Sequence, residues 1–185
     1  MGFRRFLGCL VDAALEPHRE RMAQLAPAIE AARIICDSFQ HELDRGALQK
    51  LLYLCEMNER GHTDGKSGIV GNLGFAATDF GPLCRPLEDH LRPRNSKAIR
   101  NFGHVPPHQF SEESVDRIRT VCGAIQLGFE RSNHRLFNGY VVGLSHWERG
   151  AWAKRYIPGC AARISIADML EDYVNRRSAS KTAAA

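Results

Sequence analysis

The residue types that could carry chemistry are plentiful in this chain, and their spacing decides what they can do. Among eight histidines, His104 and His108 stand four apart. That spacing would align two imidazoles on a helix, but Pro106 and Pro107 between them forbid a regular one, and no His-Glu-x-x-His pattern accompanies them. Ser145 and His146 are adjacent in sequence, which points their side chains in different directions on a helix. A nucleophile and its base must instead meet in space, and no G-x-S-x-G elbow is present. Gly65-Lys66-Ser67 resembles the end of a phosphate-binding loop but lacks the earlier glycine at the required distance. The sequence therefore predicts neither catalytic nor metal-ligating residues, and no cofactor.

A different constellation lies at Leu144-Ser-His-Trp-Glu-Arg-Gly-Ala-Trp152, where two indoles and an imidazole crowd a helix end. Packing alone would place Trp152 on the core and let His146 bond a backbone group. The functional alternative leaves Trp147 partly exposed as a binding anchor, since tryptophan is enriched at interface hot spots.

The elements that must position these residues are helical. Ile29, Ala32, Cys36, Phe39 and Leu43 recur at spacings of three and four, and Gly46 then breaks the pattern. From Ala47 to about Glu59, Leu48, Leu51, Leu52 and Cys55 share a face that Tyr53 and Leu54 widen, so this helix should lie deep in the core. Gly61 is placed to stop it as a left-handed cap. Glycines at 65, 68, 71 and 74 then interrupt short apolar runs, which predicts a small hairpin around Gly71-Asn72 or an irregular insertion over 62–80. Pro82 suits the first turn of the following helix, where Leu83, Leu87 and Leu91 repeat every four residues and Pro86 is still tolerated. Ser111 caps a helix whose buried stripe is Val115, Ile118, Cys122, Ile125 and Phe129. Further helices are predicted from about Asn133 to Leu144 and, capped by Ser165, through Ile166, Met169, Leu170, Tyr173 and Val174.

The fold class that follows is mainly α: a single-domain bundle of about six helices with a small hairpin or irregular insertion. The expected boundaries are an N-terminal extension over 1–27, the domain over 28–177 and a disordered tail over 178–185. A chain of 185 residues suffices for one well-buried core. Its 44% hydrophobic and 25% charged residues argue against wholesale disorder.

The net charge of +4 is dispersed in short clusters, of which Arg92, Arg94, Lys97 and Arg100 form the densest. Such an excess is more often a solvated surface than a nucleic-acid footprint. The six cysteines are scattered without a C-x-x-C, as buried thiols in a reducing compartment would be. Asp12 ends the apolar run after Arg4-Arg5 too early for a signal peptide, and Phe6 stands where myristoylation wants Ser or Thr. No stretch approaches the roughly 18 apolar residues of a membrane span. A cytoplasmic protein without membrane contact is expected.

Three segments taken in order carry a resemblance. Lys50-Leu-Leu-Tyr53, Phe80-Gly81-Pro82, and Ser145-His146 followed by Trp152 occupy the places of the recognisable marks of the Panacea domain, the SocA-like antitoxin family of bacterial toxin–antitoxin operons. The likeness spans about residues 28 to 175. It implies an antitoxin without enzymatic activity that neutralises a cognate toxin by direct protein–protein binding. In the SocA branch it implies an adaptor that delivers the toxin to the ClpXP protease, and the terminal alanines resemble a tag that ClpX-type unfoldases engage. The partner-binding residues it suggests are Phe80, Gly81, Pro82, His146, Trp147 and Trp152. No helix-turn-helix is recognisable, so DNA binding does not follow. A small nucleic-acid-binding regulator using the Arg92–Arg100 stretch is the alternative.

Overall fold

The computed structural model describes residues 3–79, 81–91, 102–144 and 162–182, with side chains from position 16 to 178. Six helices and one hairpin follow in the order α1 (Phe3–Asp37), α2 (Arg45–His62), β1 (Ala76–Thr78), β2 (Gly81–Leu83), α3 (Arg85–Leu91), α4 (Glu112–Glu130), α5 (Phe137–Val142) and α6 (Ile166–Thr182). The expected class, mainly helical with a small hairpin, is what the chain adopts.

Helix α2 is the hub, packing against α1, α4, α5, α6 and strand β2. Its sequence explains why. Leu48, Leu51, Leu52, Tyr53 and Cys55 are all buried, and so are Lys50, Glu56 and Glu59 on its other faces. A helix apolar on so wide an arc must be covered on all sides. Asp44 starts it by accepting the Ala47 N–H at 2.7 Å.

Helix α1 runs without a break through position 27, and Leu25 and Ala26 upstream of that point are buried in the same core. The sequence places Phe39 and Leu43 in the continuation of this stripe. They are buried, but the helix has ended at Asp37 and both sit in the connection to α2. Phe39 packs there on Phe137 with ring centroids 4.8 Å apart.

Helix α4 starts as expected: the Ser111 hydroxyl accepts the Ser114 N–H at 3.2 Å, and Glu112 and Glu113 fill the first turn. Ser114, Ile118 and Cys122 are its buried residues, with Ile125 and Phe129 packed against the core, while Val115 of the expected stripe is only half-buried. The helix predicted over 133–144 is shorter, Phe137–Val142. Ser132 turns the chain by accepting the His134 N–H, and Leu136 is extended (φ −122°, ψ 123°).

Before α6, Ser165 and Asp168 cap each other, the hydroxyl taking the Asp168 N–H and the carboxylate taking the Ser165 N–H. The helix continues to Thr182, into the segment expected to be disordered.

Three further expectations are corrected. The hairpin lies at 76–83, with Ala77 opposite Pro82, and not around Gly71-Asn72. The N–H groups of Ile69 and Val70, which a hairpin there would use, are taken by the Glu56 carboxylate. Pro82 stands in β2 and not in a first helical turn; the short two-stranded sheet tolerates its missing N–H, and the helix begins at Arg85. Gly61 lies inside α2, which ends at His62 with Thr63 as its C-cap, while Asp64 (φ 51°) and Gly65 (φ 79°) take the left-handed conformation. Gly61 serves a close approach: a Cβ there would sit 2.3 Å from the Tyr173 ring of α6.

Candidate functional site

Two polar centres grow out of the buried helix α2. The first joins two segments some thirty residues apart in sequence. Gly81 takes φ 95°, a conformation that suits glycine, and a Cβ there would lie 2.8 Å from the Lys50 ammonium. Lys50 therefore reaches over the hairpin and donates to the Pro82 carbonyl at 3.4 Å. The neighbouring Gln49 accepts the Cys84 N–H at 2.9 Å, fixing the strand just beyond. One helical turn on, Tyr53 donates to the Asp172 carboxylate of α6 at 2.7 Å and meets the edge of Phe75 at 5.3 Å. Burial, with Asp172 beside it, pushes the Tyr53 phenol far above its ordinary range, so it stays a donor.

Burial lowers the Lys50 ammonium from its usual 10.5 to about 8. Between about pH 8 and 10.5 the unfolded chain holds this proton and the folded one does not, so this group's contribution to stability rises with pH. The thiols oppose it, since burial pushes Cys36 and Cys84 up to about 12. A comparison isolates the lysine: Lys50→Met should be more stable than the parent at pH 7, and that advantage should shrink from pH 8 to 10.5 in urea unfolding. Parallel curves would contradict the assignment.

The second centre is Glu56 with Arg60, one turn apart on α2. The Glu56 side chain is fully buried, and Arg60 donates to it through Nε at 2.6 Å. Burial pushes the carboxyl up; Arg60 and the N–H groups of Val70 and Ile69 pull it back. The other arms of Arg60 donate to the Gly65 and Gly71 carbonyls at 3.1 and 3.5 Å, so the pair ties down the glycine-rich loop from both ends. Gly68 is where it is because a Cβ would lie 2.2 Å from the Glu56 carboxylate. Nearby, Glu59 binds Arg117 and Ser114 of α4. Burial works against its ionisation, but these hydrogen bonds hold its carboxyl below the usual range.

Of the residues suggested for partner binding, Gly81 and Pro82 are buried under Lys50, within the first centre. Phe80, His146, Trp147 and Trp152 lie outside the described residues, as does the basic stretch Arg92–Arg100. His104 and His108 are in a connection without regular structure, and His108 meets Phe110 edge-on at 4.6 Å. Among the described residues no three His, Cys, Asp or Glu side chains gather as a metal site, and no helix is long and apolar enough to cross a membrane. Sequence reasoning missed the Glu56–Arg60 pair, although two opposite charges four apart within so apolar a helix are a visible signal.

Comparison of the chain with protein-family models, with curated proteins and with solved structures finds no match.

Proposed function

We propose that this chain is an antitoxin of the Panacea, SocA-like type, which neutralises a cognate toxin through direct protein–protein binding. The observation that supports this best is the convergence at α2. The Lys50-Leu-Leu-Tyr53 and Gly81-Pro82 segments that carry the resemblance in sequence are in direct contact, Lys50 on the Pro82 carbonyl, with Tyr53 tying the same helix to α6. Motif residues of this sort build a frame, and recognition falls to what the frame presents. Trp147 and Trp152, the aromatic pair of the third segment, are the proposed anchors. Delivery of the toxin to ClpXP belongs to the same proposal, as does a cytoplasmic site of action.

The test is a binding titration between the full chain and the protein encoded by the adjacent reading frame, repeated at 50 and 200 mM salt. An interface with apolar anchors should lose little affinity, whereas a nucleic-acid contact with six to ten phosphates would lose about 10³–10⁵ over that range. Trp147→Ala should weaken toxin binding by about 30-fold, the effect of losing some 2 kcal/mol at a hot spot. Undiminished binding by that variant would refute the anchor. Salt-sensitive capture of DNA or RNA, without binding to the neighbour, would favour a nucleic-acid regulator.

A further inference from the structure

The loop that Glu56 and Arg60 tie down forms one wall of a cleft of about 590 Å³, closed on the other side by Arg163 and the start of α6. That volume falls within the range of small-molecule sites. Its lining includes three cationic side chains, Arg60, Lys66 and Arg163, and no carboxylate. Arg60 is neutralised by Glu56. Lys66 and Arg163 are exposed, and neither is paired with a carboxylate among the described residues. Arg163 is held in place: it donates to the Asn72 carbonyl at 3.1 Å, and its guanidinium lies where a Cβ on Gly74 would come within 2.9 Å. The N–H groups of Gly68 and Gly74, both in the lining, donate to no group among the described residues.

We propose that this cleft binds a phosphate-bearing small molecule of about mononucleotide size. Lys66 and Arg163 supply the charge, Arg163 from a fixed position, and the Gly68 and Gly74 N–H groups supply further donors. A dianion with several acceptor oxygens matches this set better than a single carboxylate does. The Glu56–Arg60 pair holds the wall in shape without adding net charge. The proposal does not rest on the toxin-binding reading, so either can fail alone.

Isothermal titration of the full chain with inorganic phosphate and with AMP, at fixed ionic strength, tests it. Both should bind saturably, with AMP the tighter. Lys66→Glu should weaken AMP binding by about ten-fold or more, equivalent to about 1.4 kcal/mol. Arg135→Glu makes the same charge change at an exposed residue outside the cleft lining and should leave binding within about two-fold. Absence of saturable binding, equal loss in both variants, or preference for a ten-nucleotide RNA over AMP would each overturn the proposal.

Discussion

Glu56→Ala should cost about 3–5 kcal/mol of stability, because truncating one partner of a buried ion pair leaves the other charge without compensation. Here the loss is larger than one pair. Arg60 is left buried with its charge, and the Ile69 and Val70 N–H groups, now accepted by Glu56 at 2.5 and 3.0 Å, lose their acceptor. Thr63 and Gly65 hold the start of the loop to the end of α2 by backbone bonds, but the stretch around Ile69 and Val70 is hydrogen-bonded to α2 through this carboxylate, so that stretch should loosen. Urea unfolding measures the first effect. Amide hydrogen exchange measures the second, with Ile69 and Val70 losing protection before the rest of the core. Lys66→Ala, on the exposed part of the same loop, should change stability by no more than about 0.5 kcal/mol. A cost for Glu56→Ala below about 1 kcal/mol would mean that the loop does not depend on this contact.

Leu52→Ala should cost about 2–5 kcal/mol through the cavity it leaves. Leu52 is fully buried on the helix that four others cover, so no neighbour can collapse into the space without moving a whole element. The contrast is Leu136→Ala, where 74% of the residue is already exposed and a change within about 0.5 kcal/mol is expected. Equal effects in chemical denaturation would contradict the placement of α2 at the centre.

These expectations differ in how readable they were. Leu52 could be assigned to the core from sequence because its neighbours recur at helical spacing, a local signal. The same holds for Ser111, whose side chain needs only a backbone N–H three residues away. The glycines were harder. Gly68 and Gly61 owe their identity to a carboxylate and a phenol ring brought to them from other segments, at positions 56 and 173. Without those partners in view, a glycine in or after a helix reads as a turn or a cap, as Gly61 and the Gly71 region do. The first centre was half legible. Lys50 and Gly81-Pro82 stood out as marks of a family, but their contact spans 32 positions, and the Tyr53–Asp172 bond spans 119. Spacing along a chain carries no information about such pairs. The Glu56–Arg60 pair was local and could have been found; its loop partners could not.

Co-expression in a bacterial host tests most directly the proposal that this chain silences a toxin by binding it. The protein encoded by the adjacent reading frame is induced alone and together with this chain, and viable counts are compared. The expected result is growth arrest by the neighbour alone, relieved by this chain and relieved less by its Trp147→Ala variant at equal protein level. A toxic neighbour that this chain does not bind, and whose effect it does not relieve, would contradict the proposal.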